Sequence, residues 1–330
     1  MMKRRDVLSG ALALGCGGLL ARAAPAAAAD VGTLRIASLK FGSLSWLLET
    51  IRAEGLDAKA GLKLDVLEVA TNQAGPVALL SGDSDMMVSD WPWAMRQRAL
   101  GEMVRFSPFT SALGAVMVPK GSAIASLKDL EGKKIGVAGS AIDKSWLLLR
   151  AYSQKTLGKD IATAATPVFA AAPLVTEELL NGRLDAVLNF WPYAARLKGA
   201  GHTELIGMAD VMKALGVAPV PSLVGYIWRE KTEAAKGPAI AAFLAAAKAA
   251  NGVLATSDAA WERIRGLVKP KDDAEFAAIK AYYRSGIPGP WGAAETASAE
   301  KLMQLLASSG DKDLMGDGTR FDAKLFHVAG

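Results

Sequence analysis

Two short segments, one in each half of the chain, combine residue types that could hold a small solute. Residues 90–93 read Asp-Trp-Pro-Trp, and residues 190–193 read Phe-Trp-Pro-Tyr. A carboxylate beside tryptophan rings suits a cationic or zwitterionic amine, because it combines a charge-assisted hydrogen bond with a cation-π attraction of about 0.5–2 kcal/mol per ring. Tryptophan beside proline also commonly packs the start of a helix, so both interpretations stay open at this stage.

These segments end a longer internal repeat. Residues 79–94 and 179–194 are identical at seven of sixteen positions, where ordinary composition gives about one. Each copy predicts a helix that ends at Gly82 or Gly182, a turn at Asp85 or Asp185, a four-residue apolar strand, and a helix that begins at Trp-Pro. Ligands of open α/β sheets lie beyond the carboxyl ends of strands, so two such edges facing each other predict a cleft.

The rest of the hydrophobic pattern alternates between strands and helices. It predicts strands at 33–38, 62–69, 86–89, 135–138, 166–169, 203–206 and 221–229, with two β-like pieces within 106–118. It predicts helices at 44–53, from about 143 to 157, at 173–181 and, after the last strand, at 231–255, 261–267, 273–283 and 297–306.

Polar residues fall at the predicted strand-to-helix turns. Ser43 is placed to cap the helix 44–53, and Ser140, with the N–H groups of the helix that follows, forms either an anion site or a simple cap. The residues that we expect to contact a solute are Lys40, Ser43, Asn72, Asp90, Trp91, Ser140, Asp143, Lys144, Phe190 and Trp191.

The composition suits two α/β domains and disfavours several chemistries. The 330 residues are 51% hydrophobic and 22% charged, which is enough for two buried cores. The formal net charge is +5, and because lysines and arginines are interspersed with acids we expect no nucleic-acid partner. One cysteine, Cys16, and two separated histidines, His202 and His327, predict no metal site, no cofactor and no catalytic residues.

The first 29 residues predict a cleaved export signal. Lys3, Arg4 and Arg5 precede an apolar run at 7–21, and an alanine-rich stretch at 24–29 supplies small residues for cleavage. The paired arginines resemble a twin-arginine signal, although Lys3 and Val7 depart from the usual pattern. Lipidation of Cys16 is the alternative, but the residues around it make a poor lipoprotein box. We therefore expect a soluble, monomeric periplasmic protein.

Several segments together resemble a known family. They are the phrase at 126–137 followed by Gly139 and Ser140, the Leu-x-x-Gly-x-x-Asp segments at 79–85 and 179–185, and the Trp-Pro-Tyr at 191–193. The chain resembles the periplasmic substrate-binding proteins of ABC importers for nitrate, sulfonates, taurine and related molecules. The resemblance implies capture of a solute between two lobes, closure, and delivery to a membrane permease.

The fold that this resemblance implies is the type II two-lobed α/β fold. Each lobe is expected to be a mainly parallel sheet flanked by helices, with two hinge crossings and extra C-terminal helices. Residues 30–117 and 222–330 are predicted to form the first lobe, and residues 118–221 the second.

One departure from the family bears on the solute. Members often have Trp-Asp-Pro or Trp-Glu-Pro in the second lobe, whereas this chain has Phe190 and Trp191 there and carries its acid at Asp90. This exchange favours a cationic or zwitterionic amine. Aliphatic sulfonates stay open, because Ser140 with Lys40 or Lys144 could serve an anion.

Two other classes of protein remain open. The first is an enzyme, since pyrimidine-precursor synthases resemble these transport proteins, but such an enzyme is expected to have a cysteine-rich iron motif and an active-site histidine. The second is a periplasmic ligand sensor or scaffold with the same fold, which the sequence does not distinguish from an importer component.

The export signal gives the first testable prediction. N-terminal sequencing of protein recovered from the periplasm should give a mature chain that begins near Asp30, because the alanine-rich stretch ends just before it. Retention of Met1, or a start at a lipidated Cys16, would contradict the cleaved, soluble product.

Overall fold

The computed structural model describes residues 30–40, 42–71, 73–308 and 320–327. The predicted signal, residues 1–29, and Asn72 lie outside the described residues. The strands are β1 Gly32–Leu39, β2 Leu62–Val69, β3 Met86–Asp90, β4 Val104–Thr110, β5 Ala115–Val118, β6 Lys134–Ala138, β7 Thr166–Ala170, β8 Ala186–Asn189, β9 Thr203–Gly207 and β10 Val224–Arg229.

Every predicted helix is present, together with three short helices, Leu56–Lys59, Ile161–Ala164 and Met208–Ala214, that the hydrophobic pattern did not predict. The helices are α1 Leu44–Ala53, α2 Leu56–Lys59, α3 Ala74–Ser81, α4 Trp91–Ala99, α5 Lys144–Leu157, α6 Ile161–Ala164, α7 Ala172–Leu180, α8 Trp191–Gly199, α9 Met208–Ala214, α10 Glu230–Thr256, α11 Asp258–Val268, α12 Asp273–Ser285 and α13 Ala293–Ser308, with 3-10 helices at Leu127–Leu130 and Ala323–Leu325.

The strands form two five-stranded sheets, one in each lobe. The first has the order β2-β1-β3-β10-β4 and the second the order β7-β6-β8-β5-β9. In each sheet one strand runs against the others: β10 is antiparallel to β3 and β4, and β5 is antiparallel to β8 and β9. The predicted two-lobed α/β fold with mainly parallel sheets is confirmed.

The chain passes between the sheets twice, at residues 111–114 and again between α9 and β10. The lobe boundary predicted after residue 117 falls inside β5, which pairs with β8 and β9 and so belongs to the second sheet. Its four buried apolar residues carry no sequence signal that assigns them to one sheet or the other.

A backbone clamp occurs in both copies of the repeat. The N–H of Asp85 donates to the Arg35 carbonyl at 2.8 Å, and the Asp85 carboxylate accepts from the Arg35 N–H at 2.9 Å. Asp185 makes the same two bonds with Lys134, at 2.9 and 2.8 Å. Each aspartate therefore ties the turn before the central strand, β3 or β8, to the neighbouring strand, β1 or β6.

The two clamps differ in their surroundings. Asp85 is buried and also binds the Arg35 guanidinium at 2.8 Å and the Lys236 ammonium at 2.7 Å. Burial acts to raise the pKa of Asp85, but the hydrogen bonds from Arg35 and Lys236 outweigh it and lower the pKa to about 2. Asp185 is only half-buried.

The predicted cap of α1 by Ser43 is wrong. Ser43 has helical backbone angles, and its side chain makes no cap hydrogen bond. The hydroxyl of Ser45 donates instead to the Gly42 carbonyl at 2.8 Å. The chain therefore enters α1 through a tight turn, which a serine pattern does not distinguish from a capped start.

The C-terminal helices pack on both lobes. Helices α10 and α11 cover α1, while α12 packs on α8 and α13 on α5. A Cβ atom at Gly199 of α8 would lie 2.5 Å from the Glu275 Cα of α12, so this contact requires glycine. Arg196 pairs with Glu275 and donates to the Val268 carbonyl at 2.6 Å. These helices thus bridge the lobes in addition to the two chain crossings.

Helix α10 has the length and apolar composition of a membrane span, the only such helix among the described residues. In its most apolar window 44% of the residues are buried inside the fold, and its buried side chains pack over β1 and β10. A long core helix meets the same criterion, so this feature is accounted for by packing.

The unequal clamps give a matched pair of substitutions. Asp85→Asn should lower the free energy of unfolding by about 2–4 kcal/mol, because it leaves Arg35 and Lys236 without their shared anion. Asp185→Asn should cost about 1 kcal/mol, because it weakens a backbone contact alone. Urea denaturation of both variants at neutral pH measures the difference.

The same comparison has a pH signature. The folded pKa of Asp85, about 2, lies below the ordinary 3.8, so its contribution is present above pH 4 and is lost as the pH falls toward 2. The difference in the free energy of unfolding between the wild type and Asp85→Asn should therefore decrease in acid. Equal losses for the two variants, or a gap that does not change with pH, would refute the role given to Arg35 and Lys236.

Candidate functional site

The carboxyl edges of the two sheets meet at an ion pair. Asp90 ends β3 in the first lobe, and Lys144 begins α5 in the second. The Lys144 ammonium donates to Asp90 Oδ2 at 2.7 Å, with the two side chains 25% and 17% exposed. The predicted cleft between the edges is therefore spanned by one direct charge contact.

Both oxygens of Asp90 have partners. Oδ1 accepts from the Trp93 N–H at 2.8 Å, which makes Asp90 the N-cap of α4, and Oδ2 faces Lys144. A cap bond holds the carboxylate at the edge in one orientation. A solute ammonium that binds Asp90 would occupy the position that Lys144 takes here.

The start of α5 carries its own carboxylate. Asp143 Oδ1 accepts from the N–H groups of Ser145 at 2.9 Å and Trp146 at 3.3 Å. Ser140 is exposed, and its carbonyl accepts from the Asp143 N–H at 3.0 Å. The helix-end donors considered for an anion beside Ser140 are thus occupied by Asp143, which is the residue that caps this helix.

Burial and neighbouring charges shift the pKa values of the ionisable groups at this edge. Burial raises the pKa of Asp143 to about 6, although Lys144 and the two N–H groups act against that rise. Burial also acts to lower the pKa of Lys144, but the Asp90 carboxylate outweighs it, so the pKa of Lys144 is raised. The carboxylates of Asp90 and Asp143 thus act to raise the pKa of Lys144, while burial and the positive charge of Arg96 act to lower it.

The two repeated tryptophans lie in different places. Trp191 is 7% exposed and packs edge-on against Trp46 of α1 at 6.0 Å and against Tyr283 of α12 at 6.2 Å. Trp191 therefore joins the second lobe to the first. Trp91 is fully buried and packs on Phe326 at 6.0 Å.

The position of Trp91 corrects the expectation that its ring contacts a solute. Its ring belongs to the cluster that includes Phe106 and Phe326, whereas Asp90 lies on the opposite face of β3 beside Val88. Helix α4 begins at this residue, so the ring turns away from the edge that the carboxylate occupies. For this tryptophan, packing at a helix start is the interpretation that fits.

The remaining predicted contacts are more scattered. Lys40 is exposed in the turn after β1, and its N–H donates to the Val69 carbonyl at 3.0 Å. Ser43 is 7% exposed below α1, and Phe190 is half-buried at the start of α8. Of the predicted residues, the structure brings together Asp90, Asp143 and Lys144, and it places Trp191 against α1.

Several residues near the cleft were missed by the sequence analysis. Asn189, 2% exposed, donates through Nδ2 to Thr176 Oγ1 at 2.8 Å and accepts from the Phe190 N–H at 2.9 Å, so it fixes the second edge. The sequence feature that could have identified Asn189 is a polar residue at the end of an apolar strand. Trp46 and Tyr283 were missed because they lie on the buried faces of helices.

The described residues contain no group of three histidine, cysteine, aspartate or glutamate side chains that could hold a metal ion. His202 lies just before β9, where its Nδ1 accepts from the Lys120 N–H at 3.3 Å. His327 packs on Trp228 at 5.4 Å. Both imidazoles are at the amino ends of the parallel strands, away from the cleft.

Comparison with known proteins gives a family and a set of similar folds. The family model described as NMT1/THI5 like matches residues 52–258. The aliphatic sulphonate binding protein SsuA of Escherichia coli has a TM-score of 0.70 at 17% identity, covering 90% of this chain and 92% of that one. The alkanesulfonate-binding protein SsuA of Xanthomonas axonopodis pv. citri, bound to MOPS, has a TM-score of 0.68 at 19% identity, covering 90% and 98%.

A relative found by sequence carries a different description. The "Putative thiamine biosynthesis protein" of Haemophilus influenzae is 30% identical over 137 residues, which is 41% of this chain. The match spans 42% of the length of that protein.

Asp143 gives a pH prediction for this edge. Its folded pKa of about 6 exceeds the ordinary 3.8, so ionisation favours the unfolded chain and stability is lost as the pH rises between about 4 and 6. Asparagine keeps a cap oxygen without the charge. The free energy of unfolding of Asp143→Asn, relative to the wild type, should therefore rise from pH 4 to pH 6 and stay constant above, as measured by urea denaturation.

Asp160 supplies the matched control. It also caps a helix, α6, but the guanidinium of Arg150 outweighs the effect of burial and lowers the pKa of Asp160. Asp160→Asn should therefore lose stability relative to the wild type as the carboxylate ionises. A relative stability of Asp143→Asn that is flat from pH 4 to pH 7 would contradict the burial of its charge.

Proposed function

Because the chain belongs to the NMT1/THI5-like family, we propose that it is the periplasmic solute-binding component of an ABC importer. It captures a small organic solute, a zwitterionic or cationic amine or a sulfonate, between its lobes and delivers it to a membrane permease. The binding proteins that share its fold support this role, since both descriptions name sulfonate binding and that of the Escherichia coli protein also names the periplasm.

The observation that carries the proposal is the ion pair between the lobes. Asp90 and Lys144 present opposite charges 2.7 Å apart, each from the carboxyl edge of a different sheet. A zwitterion carries both charges and replaces each partner of the pair by one of its own, so closure around it leaves no charge unpaired. A solute with one charge satisfies only one side.

Closure is proposed to occur about the two chain crossings. Rotation about residues 111–114 and the segment between α9 and β10 moves one lobe relative to the other while each sheet stays intact. The contacts between the lobes that opening would have to break include the pair Asp90–Lys144, the ring contact of Trp191 with Trp46, and the packing of α8 on α12 and of α5 on α13. We propose that the protein acts as a monomer, with residues 1–29 removed on export.

The second candidate is an enzyme related to pyrimidine-precursor synthesis, which the name of the Haemophilus influenzae relative favours. Such chemistry needs an acid-base group at the cleft. His202 and His327 lie at the opposite ends of the strands, and the titratable groups at the cleft edge, Asp90, Asp143 and Lys144, are paired or capping. The binding role accounts for these contacts without a reaction.

Variants that remove one charge of the Asp90–Lys144 pair distinguish which class of solute binds there. Taurine carries both charges, ethylamine carries only a positive charge, and ethanesulfonate carries only a negative charge. With taurine, Asp90→Asn and Lys144→Met should each weaken binding about 10- to 100-fold, the equivalent of about 1.5–3 kcal/mol for a charge-assisted contact. With ethylamine only Asp90→Asn should weaken binding, and with ethanesulfonate only Lys144→Met. Isothermal titration calorimetry measures each affinity.

Lys128→Met is the control, since Lys128 is an exposed lysine in the 3-10 helix Leu127–Leu130, on the outer surface of the second lobe. It should leave every affinity within about twofold. If the wild type binds one of the three compounds and neither cleft variant changes its affinity, the ion pair is not the solute site. A bound compound that leaves the radius of gyration in solution scattering unchanged would refute closure.

A further inference from the structure

Two buried hydroxyls lie in one row across the centre of the first sheet. Tyr226 of β10 stands opposite Val88 of β3. The parallel register of β1 and β3 pairs Ala37 with Met87, so its next step sets Ser38 beside Val88. Because side chains alternate along strands, Ser38, Val88 and Tyr226 share the face that carries Asp90, two residues further along β3.

Neither hydroxyl has a hydrogen-bond partner among the residues that the structure describes. The Oγ atom of Ser38 and the hydroxyl of Tyr226 are both buried, and both residues are 2% exposed. Buried polar groups nearly always have partners, since an unpaired one costs free energy. Two such groups in one row, at the cleft end of the sheet, indicate partners that the protein itself does not supply.

Solvent reaches the valine that lies between the two hydroxyls. Val88 lies on the central strand between Ser38 and Tyr226, yet it is half-buried rather than buried, and so is Val224, the neighbour of Asp90 on β10. Aromatic rings surround Tyr226, with Phe109 at 5.4 Å and Phe243 at 5.1 Å. Space next to Val88 is thus open to solvent while the adjoining hydroxyls are covered.

The row is uncharged. Burial raises the pKa of Tyr226 well above its usual value, so its hydroxyl stays protonated and able to donate. The charged groups on this face, Asp90 and its partner Lys144, begin one row higher. A sulfonate or carboxylate placed on the row would lose its hydration without gaining a cation, whereas a neutral acceptor would gain two donors.

We propose that Ser38 and Tyr226 form the floor of the solute site and bind an uncharged hydrogen-bond acceptor of the solute, such as a carbonyl, a hydroxyl or a ring nitrogen. The inference rests on the proposed function, with the charged end of the solute at Asp90 and Lys144. It assigns the solute to amines that bear a neutral acceptor on an apolar or aromatic body, and it makes Ser38 and Tyr226 selectivity residues.

The test uses two probes that differ only at the buried end. 3-(Aminomethyl)pyridine carries a neutral ring nitrogen, and benzylamine has the same shape without it. Calorimetry on the wild type should give tighter binding of the pyridine than of benzylamine by about tenfold, the worth of one buried hydrogen bond. In Tyr226→Phe and in Ser38→Ala this preference should fall to about threefold or less.

Ser153→Ala is the matched control. The hydroxyl of Ser153, buried in α5 of the second lobe, donates to the Arg150 carbonyl at 2.8 Å and accepts from the Ile161 N–H at 2.9 Å, so its loss should lower Tm by about 2–4 °C and leave the preference between probes unchanged. Tyr226→Phe should keep or raise the Tm of the free protein, because it removes an unpaired buried hydroxyl.

The outcomes separate the two proposals. A wild type that binds neither probe contradicts the proposed solute chemistry and with it the floor. A wild type that binds both amines with equal affinity, or a preference that survives in Tyr226→Phe, overturns the floor alone. A Tm loss in Tyr226→Phe equal to that of Ser153→Ala would show that the Tyr226 hydroxyl has a partner in the free protein and would overturn the floor.

Discussion

The two-way hydrogen bond between an aspartate and a neighbouring strand is the constraint on which the cleft depends. Asp85 and Asp185 each donate one hydrogen bond to, and accept one from, the backbone of the adjacent strand, β1 or β6. The bond fixes where β3 and β8 begin, and therefore where they end. Since both strands are short, a slip of one residue would turn Asp90 or Asn189 to the other face of its sheet. The clamps therefore set which side chains each sheet presents at its carboxyl edge.

The two edges contribute different things to closure. The pair Asp90–Lys144 is partly exposed, and such pairs contribute about 0–1 kcal/mol. Burying a tryptophan such as Trp191 removes about 150–250 Å² from water, which at about 25 cal/mol per Å² is several times larger. The aromatic edge and the packing of α8 on α12 therefore hold the lobes together, while the charged edge selects among solutes.

Most helices and strands were predicted correctly from the sequence, because the spacing of apolar residues and the positions of turn residues indicated the same boundaries. Helix α1 and strand β2 have the predicted limits, and both copies of the repeat have the predicted strand-to-helix order. The site was predicted less well. The patterns placed Asp90 and Lys144 at edges, but not against each other, since that contact depends on lobe orientation. Trp91 and Trp191 share a motif yet differ in burial partners, because α12 covers only the second copy.

The placement of the two antiparallel strands sets an order of folding. The second sheet is complete once β9 has been made, because β5 precedes it in the chain. The first sheet has no neighbour for β4 until β10 is synthesised, since β10 lies between β3 and β4. During synthesis on the ribosome the second lobe can therefore complete its sheet while residues 30–110 still lack β10, the strand that pairs with β3 and β4. Pairings of such sequence separation form slowly, so the N-terminal segment is the part of the nascent chain with the greatest need of a chaperone.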